Sequence, residues 1–136
     1  MVERGSTGFT NDAFMHTHTL IADEPTSHHG ADLGPAPFEL LLSSLGACTN
    51  MTVRMYCTRK SLPLLRVKTM LSAESVATAE GTKLFKIHRQ IELVGEELTV
   101  EQRARILEIA EMVRHLPVSN LRLTFTIQSS VRCIAF

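Results

Sequence analysis

Cys48 is the residue of this chain best placed for chemistry. It stands in Leu45-Gly46-Ala47-Cys48-Thr49, where two small neighbours would let another backbone or a small ligand approach the sulfur. Glycine inside a helix costs about 1 kcal/mol relative to alanine, so Gly46 calls for a packing reason. A cysteine here either serves as a reactive thiol or fills the core as a small apolar side chain, and spacing alone leaves both open. Cys57 stands nine positions further along, which on one helix means about 13 Å away and on the opposite face. Disulfide geometry forbids that pairing unless the helix unwinds. Cys133 lies too near the C-terminus to be placed.

The histidines offer a second constellation. His16 and His18 share a period-2 face, while His28, His29 and Asp32 crowd one loop. No Cys or His pair has zinc spacing, so these residues read as an exposed strand and a polar loop, with no metal. Gly30 to Gly34 is too short and too interrupted by proline for a dinucleotide loop. Met51, Met55 and Tyr56 read as core or subunit interface, and no cofactor is expected.

The elements that must position Cys48 follow from periodicity. Phe9 to Ala22 has β-like stretches, with Phe14, His16, His18 and Leu20 on one face. A loop rich in Gly, Pro and His runs from Thr26 to Pro37. From Pro37 to about Lys60 the pattern is helical, with Pro37 suited to the first turn. Leu40 to Cys48 is apolar almost all round, the mark of a central helix covered on most faces. Such a rod is about 36 Å long, and a second subunit would help to cover it. Leu65 to Ser72 and Leu84 to Val94 read as strands, the second carrying Phe85, Ile87, Arg89, Ile91 and Leu93 on one face. Gly95 to Thr99 turns. Thr99 and Gln102 form a capping box opening a helix to about Arg114, with Ile106, Ile109, Ala110 and Val113 as its stripe. Pro117 stops it, and Leu121 to Val131 returns as a strand. The class is α+β.

The bulk composition agrees with a single domain over residues 1–136, 44% hydrophobic, 21% charged and formally neutral. Neutrality and a lone tyrosine give no reason to expect nucleic acid, or an anionic membrane surface, as partner. Glu3 and Asp12 interrupt the N-terminus, so no signal peptide is read. Glu39, Asn50 and Arg54 interrupt the longest apolar stretch, which reads as a buried helix rather than a membrane span. Three cysteines, an odd number without close pairing, point to a reducing compartment, the cytoplasm.

Several motifs together resemble the OsmC/organic hydroperoxide resistance superfamily. They are Ala22-Asp23-Glu24-Pro25, the run Gly30-Ala31-Asp32-Leu33-Gly34-Pro35-Ala36-Pro37-Phe38-Glu39-Leu40-Leu41-Leu42, and Leu45-Gly46-Ala47-Cys48-Thr49. Met51-Thr52-Val53-Arg54-Met55-Tyr56 continues them in the manner of an OsmC-like subgroup. Arg89 to Gly95 and Glu101 to Glu111 follow in the right order and at fitting distances. The resemblance implies an intertwined homodimer, with long helices packed inside antiparallel sheets, and a peroxidatic thiol at Cys48. It further implies a small hydroperoxide as substrate and an external thiol or dithiol as reductant.

This chain departs from the family pattern at the partners of that thiol. Where the family has a second cysteine in a Cys-Pro-Val-Ser or Cys-Pro-Val-His context, this sequence reads Leu116-Pro117-Val118-Ser119. Leucine cannot resolve a sulfenic acid. The resemblance also asks for an arginine and a glutamate beside the thiol. Arg4 lies at about the right distance upstream, and Glu39 precedes Cys48 by nine residues, one short of the family spacing, which falls on Phe38. Two readings follow: a thiol-dependent peroxide reductase, or a non-catalytic protein holding a small apolar or acyl ligand on the same scaffold.

Overall fold

Pro37 opens the longest helix, α1 (Pro37–Arg59), in a computed structural model. The structure describes residues 1–5, 8–77, 83–113 and 126–133, with the backbone alone at 83–84 and 126–133. The chain gathers into two compact units, Met1–Ser43 and Ser44–Phe136, and α1 begins in the first and continues into the second.

The first unit is an antiparallel sheet of β1 (Val2–Glu3), β2 (Asn11–Met15) and β3 (His18–Ala22), in that order. The segment expected to carry Phe14, His16, His18 and Leu20 on one face instead folds back on itself. Met15 pairs with His18 and Phe14 with Thr19, leaving His16 and Thr17 as the turn. His16 adopts φ 49°, the left-handed conformation that tight hairpin turns require. Leu20 pairs with Ala13, so it lies on the opposite face from Phe14. A period-2 pattern read straight through a two-residue turn loses its register, which is why the sequence misled here.

After β3 the chain is held by one carboxylate. Asp23, 1% exposed, accepts the Thr10 hydroxyl at 2.9 Å and the backbone N–H groups of Glu24 at 2.8 Å and of Ala31 and Leu33 at 3.3 Å. These bonds fold the loop over a short 3-10 turn at Thr26–His28. A β-carbon on Gly30 would fall 1.8 Å from the Glu24 carbonyl oxygen, so only glycine fits that crossing. Burial pulls the Asp23 carboxyl upward, but the four donors outweigh it, and the group titrates below the ordinary carboxylate range.

The second unit is a sheet of β4 (Arg66–Ala77), β5 (Lys83–Val94) and β6 (Thr126–Cys133), with β5 central. β4 pairs with β5 antiparallel and β6 pairs with β5 parallel. The parallel pairing requires a crossover, and α2 (Val100–Met112) lies between the two strands in sequence. β4 runs five residues beyond the expected Ser72. Its half-buried alternation ends at Ala73, and beyond it Glu74 to Ala77 are all exposed, without the period-2 burial that marks the inner part of the strand. Thr99 caps α2 as expected, accepting the Gln102 N–H while the Gln102 side chain accepts its own. Leu116, Pro117 and the expected start of the last strand at Leu121 lie outside the described residues.

The core of this unit joins Val53 and Cys57 of α1, Leu64, Ile91 and Leu93 of β5, Leu98, and Ile106 and Ala110 of α2. A fully buried Ile or Leu contributes about 1.5–3 kcal/mol. The end of α1 is fixed at both levels. Leu62 N–H bonds the Cys57 carbonyl and Ser61 N–H that of Thr58, with Ser61 at φ 50° in the position glycine usually takes. The Arg54 guanidinium donates to the carbonyls of Leu64 and Leu65.

The Asp23 anchor has a pH dependence of definite sign. Its folded value lies below its unfolded one, so the anchor is complete above the ordinary carboxylate range and is lost as pH falls through the depressed value. In hydrogen exchange at neutral pH, Asp23→Asn should speed the amides of Ala31 and Leu33 by about tenfold or more. The unsubstituted protein should show that acceleration only in acid.

Candidate functional site

α1 presents a buried stripe of Leu45, Gly46, Thr49, Val53 and Cys57 to the second unit, while Met51 and Met55 are 69% and 59% exposed. Leu40 to Leu42 are half-buried and Ser43, Ser44 and Ala47 exposed, so the cover expected on most faces is incomplete within one chain. Cys48 is half-buried, next to the stripe. Gly46 finds its packing reason in β4. A β-carbon there would stand 2.9 Å from Leu71 Cδ1, so the missing side chain lets the helix lie close on the sheet.

Beside Cys48, Thr49 is fully buried, and its hydroxyl donates to the Leu45 carbonyl at 2.8 Å. The same oxygen accepts Arg89 Nη1 at 3.3 Å, and Arg89 Nη2 donates to Glu111 Oε1 at 3.0 Å. The Arg89 side chain is wholly buried and that of Glu111 is 30% exposed. Thus a cation from β5 meets the thiol-bearing turn of α1 and a carboxylate from α2. Removing the Glu111 carboxylate would strand the buried Arg89 charge, at a cost of about 3–5 kcal/mol. At the next residue of α1, Thr69 of β4 donates to Asn50 at 2.7 Å.

Sequence reasoning did not assign Thr49, Arg89 or Glu111 to the site. The signal was present, since Arg89 is a charge in the otherwise apolar inward row of Ile87, Ile91 and Leu93, all of them buried. What the pattern could not show was which helix that charge would face.

The residues that were singled out have definite places. Arg4 forms a two-bond pair with Asp12 at 2.7 and 2.8 Å, which raises the guanidinium and lowers the carboxyl through their hydrogen bonds. Glu39 accepts the Ala36 N–H at 2.9 Å, the reach-back of a third-position carboxylate that satisfies a free donor at the start of α1. Both contacts lie within the first unit. Cys57 sits in the core at 1% exposure, and burial pushes its thiol up against a smaller downward pull from Arg54. The side chain of Cys133 is outside the described residues, as is Leu116. Among the described residues, no three His, Cys, Asp or Glu side chains gather closely enough to hold a metal ion. No described helix is long and apolar enough to cross a membrane.

An α+β scaffold that lays a thiol-bearing helix along a mixed sheet gives the class of fold. The chain belongs to the OsmC/organic hydroperoxide resistance superfamily, as the family model described as OsmC-like protein matches residues 29–130. No curated protein matches it by sequence. Among solved structures it is similar to the organic hydroperoxide resistance protein OsmC of Legionella pneumophila, with 19% identity, TM-score 0.63 and 95% and 98% of the two chains covered. It is likewise similar to an OsmC-like protein of Mycoplasma pneumoniae, with 16% identity, TM-score 0.61, and 93% and 89% covered. The organic hydroperoxide resistance protein OhrB of Bacillus subtilis matches at 11% identity and TM-score 0.61, with 93% and 98% covered. At these identities the likeness shows the fold.

The two described thiols should separate cleanly by labelling. In the native protein iodoacetamide should modify Cys48 while Cys57 stays protected, because alkylation needs an exposed thiolate and Cys57 is neither exposed nor easily ionised. Peptide mapping after trypsin reads both, and Cys57 should label only in denaturant.

Proposed function

We propose that this protein is a thiol-dependent reductase of small organic hydroperoxides, with Cys48 as the attacking sulfur. The observation that carries the reading is the position of Cys48, half-buried at the centre of the helix that the family model spans. Family membership supports a role in redox chemistry and peroxide resistance. In the reaction the Cys48 thiolate attacks the O–O bond. One oxygen stays on sulfur as the sulfenic acid, and the other leaves with a proton as the alcohol. Two electrons from an external dithiol, or from two monothiols, then restore the thiol, and the oxygen departs as water. Arg4 and Glu39 are the family-derived candidates for activating charges. The protein works as a homodimer in the reducing cytoplasm. A shallow groove of about 420 Å³ lined by Asn50, Met51, Arg54, Met55 and Val67 lies on the exposed side of α1, where a second copy would cover it.

Leu116 in place of the second cysteine favours a second reading, a ligand-binding protein whose thiol is vestigial. The products of oxidation distinguish the two. If Cys48 is peroxidatic, Cys48→Ser should abolish consumption of cumene hydroperoxide. The unsubstituted protein should also pass from sulfenic to sulfinic acid under excess peroxide. Leu116→Cys should permit a disulfide with Cys48 and protect it from overoxidation, provided the two α-carbons come within about 7 Å. Mass spectrometry reads all three. A Cys48 left unmodified where glutathione oxidises would retire the peroxidase reading in favour of ligand binding.

Sedimentation should show a dimer down to low protein concentration. A well-folded monomer at micromolar concentration would contradict the intertwined assembly.

A further inference from the structure

We propose that Arg89 is a positioning residue for Cys48, acting through the Thr49 hydroxyl and itself held by Glu111. The inference rests on the reading of Cys48 as the reactive sulfur and assigns a residue that neither the sequence motifs nor the family pattern supplied.

The first support is economy. Arg89 is the charged member of an inward row otherwise made of Ile87, Ile91 and Leu93, all 1% exposed or less. Apolar side chains in place of both Arg89 and Glu111 would serve stability as well or better, because desolvating a guanidinium offsets most of what its ion pair returns. A buried charge at such a point is best explained by what it holds in place.

The second support is the bond pattern. A hydroxyl has one proton to give, and that of Thr49 goes to the Leu45 carbonyl. Its lone pair is therefore what Arg89 meets at 3.3 Å. The two bonds fix the Thr49 rotor and tie the turn Leu45–Thr49, which carries Cys48, to the central strand. Glu111 takes the other guanidinium nitrogen at 3.0 Å and so aims the fork. Cys48 itself lies on the half-buried flank of that turn, where its direction depends on the rotation of the helix. A supporting shell of this kind is what a reacting group on a helix needs, since misplacement by about 1 Å costs about 100-fold in rate.

The test uses the full-length protein with Arg89→Met, which keeps length without charge, Thr49→Val, which keeps shape without the hydroxyl, and the double variant. Two rates are followed on the Cys48 peptide by mass spectrometry: oxidation by cumene hydroperoxide and alkylation by iodoacetamide. Labelling of Cys57 in the same digest reports whether the core has opened. Each single substitution should slow oxidation about tenfold or more. Alkylation of Cys48 should stay within about threefold and Cys57 should remain protected. The double variant should be no slower than the slower single, as for two groups in one chain of bonds. If Arg89→Met exposes Cys57, the Thr49→Val comparison, which leaves the ion pair intact, decides. The proposal is overturned if oxidation in a folded variant stays within about twofold of the parent. It is equally overturned if oxidation and alkylation fall together, which would mean a thiol merely covered, or if the two single losses multiply in the double. A parent Cys48 inert to hydroperoxide overturns the proposal along with the peroxidase reading, whereas a reactive parent with unchanged variants overturns the proposal alone.

Discussion

A guanidinium removed from water must find its hydrogen bonds inside the protein, and in the second unit that requirement falls on Arg89. Its central strand places it between the two helices, so its acceptors come from both, the Thr49 hydroxyl on α1 and the Glu111 carboxylate on α2. The surrounding apolar cluster is permissive about the exact rotation of each helix, because dispersion and burial are not directional. The bonds of Arg89 are directional. They select one setting of α1 against β5, and with it one placement of Cys48.

Two further polar contacts in this unit hold the same helix from different points. Arg54 secures its C-terminal end to the carbonyls of Leu64 and Leu65, and Asn50 receives Thr69 from β4. Gly46 lets the helix come close enough for these bonds to form, with Leu71 occupying the space a side chain would claim. The result is a helix gripped along one stripe while its methionine-bearing face remains exposed in the single chain. A thiol beside the gripped stripe is held still yet remains reachable, whereas Cys57, on the stripe itself, is not.

In the first unit the organising group is an anion. Asp23 satisfies the hydroxyl of Thr10 and three backbone donors, and so shapes the loop that leads into α1. Glu39 then accepts a free N–H at the start of the helix. The Asp-Glu-Pro and Gly-rich motifs that carried the family resemblance therefore have physical work to do. The aspartate ties the loop, and Gly30 permits the crossing over Glu24.

Much of this was written in local sequence. Pro37, the capping pair Thr99 and Gln102, and the alternation from Ile87 to Leu93 each act over a few residues, so helix starts and the inward face of β5 could be read directly. The same locality explains the failures. The hairpin turn at His16 and Thr17 has neither glycine nor asparagine to announce it, and the outer end of β4 is held by backbone pairing among exposed residues with no buried alternation. The sequence by itself also determined the thiol worth watching, since Cys48 stands out by its small neighbours and its motif. Which of the two described thiols is buried, and which arginine meets the residue next to Cys48, were decided only by the tertiary structure. Arg89 follows Cys48 by 41 positions, and Thr49 meets it solely because β5 runs beneath α1. Contacts between residues so far apart depend on how helices and strands pack, and the side-chain pattern of neither segment records its partner.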